Sequence, residues 1–298
     1  MTKLEQYYNK FHEEHRLSTR HGLVEFSTSI HFIKKFAEEM GKAGGKSDLP
    51  GGGALTDIGV GKTTSKGALE EATNALTGFA PAPLKIADIG AGTGRYSVEL
   101  CHQGFDVTAV ELVKHNLEIL RGKHENIKTW QGDARNLHFL DDETFDITLL
   151  FGPMYHLHGD ENKIKALSEA TRITKSGGII LVAYVMNDYS VISYCFKEHK
   201  WAEVVAKGGL SEDFHTICGD DDLYDYVRLE DLDRLNGLCG LKRRTIFAPD
   251  GPADFMRREL NEMSDEEFSA FLNYQLKNCQ RPELLGASSH LVDVLVKK

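Results

Sequence analysis

Apolar residues recur at two different spacings along the chain, and the change of spacing divides the chain into regions. Within the first forty residues the apolar positions mostly stand three or four apart, as on one buried face of a helix. These positions are Phe26, Ile30, Ile33, Phe36, Ala37 and Met40. From residue 84 onward, short apolar runs alternate with helical periodicity. The pattern therefore predicts N-terminal helices followed by an α/β domain.

The alternation in the second region predicts a sheet whose strands are separated by helices. Strands are predicted at 84–89, 106–111, 127–131, 145–151, 179–185, 242–248 and 291–296, and helices at 95–103, 114–121, 160–173, 189–206, 229–235, 252–260 and 265–276. We expect Asp160 to cap the helix before the fifth strand, and Gly177-Gly178 to close it. Strand and helix taking turns implies right-handed crossovers and a doubly wound, seven-stranded, mostly parallel sheet.

Glycine is concentrated between the two regions, where residues 41–83 hold ten of the chain's 28 glycines. Because glycine lowers the order that a chain can sustain, we interpret 41–83 as a flexible insertion or linker, with a candidate short helix at 68–76. The predicted organisation is an N-terminal helical lid (1–40), this insertion, and a domain at 84–298. A helical insertion at about 187–240 follows the fifth strand, above the strand ends where open α/β sheets bind ligands, so we expect a second lid there.

The overall charge limits the partners expected for this chain. Thirty-five Lys+Arg against 45 Asp+Glu give a formal net charge of −10, whereas nucleic acids and anionic membranes call for clustered positive charge. The possibility of an RNA substrate bound by a local basic patch stays open. The longest apolar run, 179–186, is too short to span a bilayer, no apolar signal segment is visible, and the five widely spaced cysteines favour reduced thiols. We therefore expect a cytoplasmic protein without a membrane segment.

A glycine-rich turn joins the first predicted strand to the first predicted helix of the sheet region. It reads Asp88-Ile89-Gly90-Ala91-Gly92-Thr93-Gly94-Arg95. Glycines let the backbone bend sharply and approach a ligand, and the helix that follows offers unsatisfied N–H groups to an anion. The turn is therefore a candidate cofactor-binding loop.

Two further carboxylates stand at the ends of the next two predicted strands. Glu111 lies 23 residues after Asp88, where a carboxylate can accept hydrogen bonds from both hydroxyls of a ribose. Asp133 lies 22 residues further on, where a carboxylate can take the amino group of adenine. Three acidic residues at three successive strand ends form a rarer constellation than any one of them, and they predict a site for an adenosyl group.

On these residues the chain resembles the class I S-adenosylmethionine-dependent methyltransferases, strongly from residue 84 to about 184. The glycine-rich turn resembles the family's first motif, Glu111 its ribose acid, and Gly132-Asp133-Ala134 its adenine-side motif. Residues 145–156 resemble its fourth-strand motif, and 175–178 the turn before its fifth strand. The resemblance implies S-adenosyl-L-methionine as cofactor and an antiparallel seventh strand. The implied cofactor-binding residues are Asp88, Gly90, Ala91, Gly92, Thr93, Gly94, Tyr96, Glu111, Leu112, Gly132, Asp133, Ala134 and Phe151.

Other cofactor motifs fit the sequence less well. A nicotinamide or flavin site requires the motif G-x-G-x-x-G, but Arg95 stands at the position of its third glycine. The P-loop-like stretches at 45–47 and 61–63 lack the first glycine of that motif. The His-Glu-Glu-His run at 12–15 is one residue short of the helical zinc spacing, so no metal site is expected.

A general base, if the acceptor needs one, is expected near the end of the fourth strand. His156 is the first candidate and His158 the second, because a neutral imidazole can take a proton near pH 7. The alternative is that His156 only hydrogen-bonds to backbone or substrate. We expect Tyr96 and Phe151 to flank the sulfonium, although Phe151 also fits a core position, and Tyr155 to shape the acceptor pocket. Polar and aromatic residues suited to the N-terminal lid are Tyr7, Tyr8, Arg16, Arg20, His21 and Glu25.

The predicted function is methyl transfer to an acceptor that the sequence does not identify. The acidic composition and the lack of a visible RNA-binding module favour a small molecule. Three alternatives stay open: methylation of RNA or protein, a cofactor-binding scaffold without catalysis, and aminopropyl transfer from a decarboxylated donor. Neither the methylated atom nor the oligomeric state follows from the sequence.

Overall fold

Seven strands form one twisted sheet in this computed structural model, which describes residues 7–8, 17–43, 82–219, 222–286 and 288–298. The strands are β1 (Lys85–Ile89), β2 (Asp106–Glu111), β3 (Lys128–Gln131), β4 (Phe145–Leu150), β5 (Thr174–Val185), β6 (Lys242–Phe247) and β7 (His290–Val296). Their order in the sheet is β3–β2–β1–β4–β5–β7–β6. Strands β1 to β5 pair in parallel, and β7 runs antiparallel to both β5 and β6. The predicted fold class is confirmed.

Helices cover both faces of this sheet. They are α1 (Arg20–Ala43), α2 (Arg95–His102), α3 (Lys114–Gly122), α4 (Gly159–Ile173), α5 (Asn187–Ser190), α6 (Trp201–Ala206), α7 (Leu229–Leu238), α8 (Arg257–Glu262), α9 (Asp265–Asn278) and α10 (Pro282–Leu285), with a 3₁₀ turn at Pro153–His156 and a π-helix at Val191–Lys197. Successive strand residues face opposite sides, so Ile180 packs with α4 and α7 while Leu181 packs with α1 and α2. None of the helices in these described ranges has the length and apolar character that crossing a bilayer requires.

Helix α1 packs along one face of the sheet through the apolar positions predicted for it. Ile33 and Phe36 are buried there, and the ring of Phe32 stacks on Phe247 of β6 at a centroid distance of 4.2 Å. The helix runs to Ala43, past the predicted boundary at residue 40. The rest of the glycine-rich stretch up to residue 81, with its candidate helix at 68–76, lies outside the described residues.

The predictions around the fifth strand were partly wrong. Helix α4 begins at Gly159, and Asp160 sits in its first turn, where it pairs with Arg234 of α7 instead of capping the helix. The two glycines at 177 and 178 do not close α4, because β5 already begins at Thr174. They lie where the register between β4 and β5 shifts, and Gly177 has a φ of +75° that suits this irregularity.

Two predicted helices are shorter or broken. The stretch predicted at 252–260 is helical only from Arg257, because the preceding residues form four-residue turns, such as that closed by the hydrogen bond from Ala253 N–H to Asp250 C=O. The stretch predicted at 189–206 is divided into α5, the π-helix and α6. His199, with a φ of +57°, interrupts it.

A buried carboxylate ties the last two strands to a helix. Asp293 of β7 is 0% exposed and accepts hydrogen bonds from Arg243 Nε of β6 at 2.6 Å and from Asn236 Nδ2 of α7 at 2.7 Å. Arg243 also pairs with Asp233 on the exposed side of α7, and the neighbouring Arg244 pairs with Glu39 of α1. Both arginines are therefore paired with carboxylates within the fold.

We expect Asp293→Asn to lower the free energy of unfolding by about 3 kcal/mol, because it removes the buried counter-charge of a guanidinium. Asp233→Asn removes the exposed partner of the same arginine and should cost less than about 1 kcal/mol. Urea denaturation of both variants measures the two effects. Equal losses in the two variants would contradict the assignment of Asp293 as the structural partner.

Candidate active site

A cleft of about 340 Å³ opens at the carboxyl ends of β1, β2 and β4. Its volume lies within the range of small-molecule sites. It is lined by most of the residues that the sequence pointed to: Gly90, Ala91, Gly92, Thr93, Tyr96, Glu111, Leu112, Gly132, Asp133, Ala134, Phe151, Tyr155, His156 and His158. Asp88 and Gly94, also predicted for this site, are not among the lining residues.

The glycine-rich turn after β1 packs closely against its surroundings. Gly90 has a φ of +83°, and a Cβ there would lie 2.5 Å from Cδ of Pro153 in the loop after β4. Gly94, with a φ of +86°, faces away from the cleft, and a Cβ there would lie 2.2 Å from a methyl of Leu120 in α3. Gly94 therefore allows α2 and α3 to approach each other, whereas Gly90 forms part of the cleft wall.

Asp88 has a structural position that the sequence did not indicate. It is 1% exposed, and Ser97 Oγ of α2 donates a hydrogen bond of 2.5 Å to its carboxylate. Burial raises the pKa of Asp88 to about 6, against the opposing effect of the hydrogen bonds from Ser97. Asp88 thus fastens α2 to the end of β1 beneath the turn, outside the lining of the cleft, and its contact with the cofactor stays a prediction.

Glu111 connects the glycine-rich turn to the end of β2. Its Oε2 accepts the backbone N–H of Gly92 at 2.8 Å, and its Oε1 accepts the N–H of Val113 at 2.7 Å. Each carboxylate oxygen can accept more than one hydrogen bond. Glu111 is therefore held in one orientation at the cleft wall and retains the capacity to accept hydroxyl donors.

Asp133 stands at the cleft after β3, in contact with an arginine that sequence reasoning missed. Arg135 donates from Nε at 3.0 Å and from its terminal nitrogen at 2.6 Å, and it also reaches Asn162 at 2.9 Å. Burial opposes ionisation of Asp133, but the hydrogen bonds from Arg135 outweigh it and lower the pKa. No motif signalled Arg135 apart from its position two residues after Asp133.

An aromatic pair closes the side of the cleft near α1. The rings of Tyr96 and Phe151 meet edge to face with centroids 5.2 Å apart, and Phe26 of α1 contacts Tyr96 at 5.2 Å. Phe151 also packs against the hydrophobic core on that face of the sheet. It thus occupies both of the positions considered for it, at the edge of the core and on the cleft wall.

His156 is held between two distant segments of the chain. Its Nδ1 lies 2.9 Å from the carbonyl oxygen of Leu223, and its Nε2 lies 2.9 Å from the hydroxyl of Tyr8. A carbonyl only accepts, so Nδ1 carries the proton and Nε2 accepts from Tyr8. Burial lowers the pKa of His156 to about 4. The imidazole is therefore neutral at pH 7 but weakly basic, which argues against the predicted role of His156 as general base.

The insertion after β5 contacts the end of β4 at further points. The carbonyl of Asp222 lies 2.9 Å from His158 Nε2, and the N–H of Asp225 donates to the carbonyl of Tyr155 at 2.8 Å. The second candidate base, His158, is thus also bonded to this insertion. These contacts place the insertion beside the cleft.

The candidate lid residues of the N-terminal region divide into two groups. Tyr8 and Glu25 line the cleft, and Tyr7 contacts Tyr8 edge to face. Arg20 instead donates to the carbonyls of Leu260 and Met263, at the end of α8. His21 lines a neighbouring cavity, whereas Arg16 lies outside the described residues.

Comparison with known proteins gives a match in the same region. Residues 87–182 match the profile of the family described as "Methyltransferase domain". Demethylmenaquinone methyltransferase of Renibacterium salmoninarum is 33% identical over 99 residues, which are 33% of this chain and 40% of that protein. Glycine/sarcosine N-methyltransferase of Aphanothece halophytica is 23% identical over 206 residues, 64% of this chain and 69% of that protein. The solved structure of a SAM-dependent methyltransferase from Methanosarcina mazei aligns with a TM-score of 0.48 and 12% identity, covering 75% of this chain and 96% of that one.

The matched span, residues 87–182, supplies most of the residues that line the cleft. The alignment spans only 40% of the length of the demethylmenaquinone methyltransferase. The span contains the glycine-rich turn, Glu111, Asp133 and the loop after β4. This part of the chain, which carries the cleft, is therefore similar to the methyltransferase domain family.

Proposed function

We propose that this protein transfers a methyl group from S-adenosylmethionine to a small-molecule acceptor bound beside the cleft. The observation that carries the proposal is the position of Glu111. Its carboxylate is fixed at the cleft wall by the N–H groups of Gly92 and Val113, next to a glycine-rich turn that leaves room for a ligand. A carboxylate held in this way at the end of the second strand suits the two hydroxyls of a ribose.

The other residues of the cleft fit the same cofactor. Gly132 has no space for a side chain, because a Cβ there would lie 2.5 Å from a ring carbon of Phe139, so glycine lets the backbone before Asp133 pack against that ring. Tyr96 and Phe151 present aromatic rings, which suit a sulfonium cation. When bound, S-adenosylmethionine supplies a methyl group on a positively charged sulfur, so the leaving group is already activated.

Under this proposal the chain's own residues act mainly by positioning. Glu111 and Asp133 bind the nucleoside, Arg135 orients Asp133, and the turn at 90–94 accommodates the amino-acid end. Methyl transfer requires the nucleophile to lie about 3 Å from the methyl carbon in line with the breaking bond, and such alignment contributes many orders of magnitude in rate. His156 takes part by holding Tyr8 at the boundary of the cleft through the Tyr8 hydroxyl.

The acceptor is proposed to be small for two reasons. The cleft is bordered by α1 residues and by the insertion after β5, which leaves a confined space. Two relatives are named for methyl transfer to demethylmenaquinone and to glycine or sarcosine, all small molecules. The net charge of −10 supports the same choice over RNA.

Replacing Glu111 with Gln should weaken binding of S-adenosylmethionine by about 10- to 100-fold, because hydrogen bonds to a charged acceptor contribute roughly 1.5–3 kcal/mol. Isothermal titration calorimetry on the full chain measures the affinity. Glu118→Gln, the same change on the exposed side of α3, is the matched control and should leave the affinity unchanged.

Unchanged affinity in Glu111→Gln would overturn the proposed cofactor site. Incubation with methyl-labelled S-adenosylmethionine and a small-molecule cell extract then tests transfer. Tight binding without any labelled product would support the alternative of a non-catalytic scaffold.

The variant Asp88→Asn should change stability and not cofactor affinity. The folded-state pKa of Asp88 is raised from 3.8 to about 6, so the folded protein binds the proton more tightly than the unfolded chain does. The contribution of Asp88 to stability therefore falls as the pH rises from about 4 to about 6, and Asn removes this fall. Between pH 5 and pH 7 the variant should gain about 1–2 kcal/mol relative to the native protein, since one pKa unit corresponds to about 1.4 kcal/mol.

Urea denaturation at both pH values measures this difference. Parallel pH dependence in the variant and the native protein would contradict a buried, protonatable Asp88. A large loss of S-adenosylmethionine affinity would return Asp88 to the cofactor site.

A further inference from the structure

A second cavity of about 330 Å³ adjoins the cleft. The two cavities share Tyr8, Glu25, Tyr155 and His290 as lining residues, so they meet along one boundary. The second cavity is bordered by the insertion after β5 and is rich in tyrosine. We call it the tyrosine chamber, after Tyr8, Tyr155, Tyr189, Tyr194, Tyr224 and Tyr226.

Three of the tyrosine rings of the chamber, Tyr155, Tyr224 and Tyr226, are in contact with one another through Tyr224. The centroid of Tyr224 lies 5.8 Å from that of Tyr155 and 6.1 Å from that of Tyr226, and His156 stacks on Tyr224 at 5.2 Å. Burial raises the pKa of Tyr189, Tyr224 and Tyr226, so their hydroxyl groups stay neutral at pH 7. Neutral aromatic rings arranged around a space attract cations through their faces.

The charged residues of the chamber are mostly acidic. Glu25, Glu198 and Asp254 contribute three carboxylates, against one guanidinium from Arg257, which lies 2.7 Å from Asp254. His21 adds no positive charge at pH 7, because burial lowers its pKa. The chamber therefore carries a net negative charge, and Glu25 places part of it at the boundary with the cleft.

A histidine and a buried aspartate stand at the same boundary. His290, the first residue of β7, has Nδ1 2.8 Å from Oδ2 of Asp250. Asp250 is 3% exposed, and its other oxygen accepts the hydroxyl of Ser288 and the N–H of His290. A carboxylate on Nδ1 fixes the ring and stabilises its protonated form, which makes Nε2 the nitrogen suited to take a proton.

We propose that the tyrosine chamber is the acceptor site of this methyltransferase, that it takes a small organic amine with Glu25 as counter-ion to the ammonium group, and that His290 removes the amine proton. The inference rests on the proposed function and specifies its substrate class. An ammonium nitrogen has no lone pair, so one proton must first pass to His290 Nε2. The nitrogen lone pair then forms the N–CH₃ bond as the S–CH₃ bond breaks, and that bond's electrons remain on sulfur as a neutral thioether.

The charge of the chamber favours an amine over other small acceptors. A phenol or quinol would become an anion on losing its proton, and the three carboxylates would oppose that charge.

The same region also brings one oxygen or nitrogen each of Glu25, Asp250 and His290 within 4.8 Å of one another, as a metal site would. The separation of 2.8 Å between His290 and Asp250 is that of a hydrogen bond, which supports proton transfer.

Recognition of the cation can be tested apart from catalysis with choline, a cation that lacks a methylatable amine. Isothermal titration calorimetry on the full chain compares choline with 3,3-dimethylbutan-1-ol, its neutral isostere. We expect choline to bind about tenfold more tightly than the isostere. Glu25→Gln should remove most of this preference, whereas Glu38→Gln, the same change elsewhere on α1, should preserve it.

The outcomes separate this inference from the proposed function. S-adenosylmethionine affinity is measured on the same preparations, so its loss refutes the proposed function itself. If the cofactor binds normally but choline binds no more tightly than its isostere, or does not bind, only the inference that the tyrosine chamber takes an amine is overturned. Stoichiometric Zn²⁺ binding that is lost in both Glu25→Gln and His290→Gln would assign these groups to a metal and also overturn it.

The role of His290 is tested with labelled methyl transfer to 2-phenylethylamine, ethanolamine and N-methylglycine. We expect His290→Gln to retain choline binding and the native thermal midpoint but to lose at least about 100-fold in transfer rate, the usual contribution of a general base. Transfer that is unchanged in His290→Gln would overturn its role. A native protein that methylates none of the three amines would overturn the assignment of amines as acceptors.

Discussion

Two hydrogen bonds to one carboxylate hold the ligand-binding edge of this protein together. Glu111 accepts the N–H of Gly92 from the turn after β1 and the N–H of Val113 from the start of α3. These bonds join two neighbouring strand ends through a single side chain, and backbone N–H groups that would otherwise need solvent are satisfied. The turn can then pack against Pro153, because Gly90 has no side chain. The shape of the cleft follows from these contacts.

Buried carboxylates recur through the structure, and each has partners suited to its position. Asp293 accepts a hydrogen bond from the guanidinium of Arg243, and this ion pair joins β7 to β6. Asp88 has only the hydroxyl of Ser97, which is a weaker compensation for burial, and its pKa is raised. Asp250 has a histidine, which can itself carry charge. Burial raises the pKa of Asp250 as it does that of Asp88, but only Asp250 has a partner that can itself take a proton.

The sequence predicted the sheet well because of the kind of strand it contains. Parallel strands covered on both faces are short continuous apolar runs, and turns rich in glycine separate them from helices. The predicted element bounds are wrong where tertiary contacts, and not the local sequence, determine the secondary structure. The N-terminal half of β5 is polar, and the segment that leads into the turns at 250–256 is held by α9, where Gln275 donates to the carbonyls of Ala248 and Pro249. Neither feature has a local signal.

The same distinction applies to the site. The position of Asp88 at a strand end suggested a ligand contact, but Ser97 of α2 covers it, and no pattern along the chain reports that contact. The bonds of His156 to Tyr8 and Leu223 join segments 148 and 67 residues away. Asp250 and His290 are 40 residues apart and meet because β6 pairs antiparallel with β7. Residues in the cofactor motif are close in sequence to the strands that position them, whereas the residues proposed for the acceptor come from α1, the insertion and β7. This difference explains why the cofactor follows from the sequence, while the acceptor chemistry emerges only when the fold brings those three regions to one boundary.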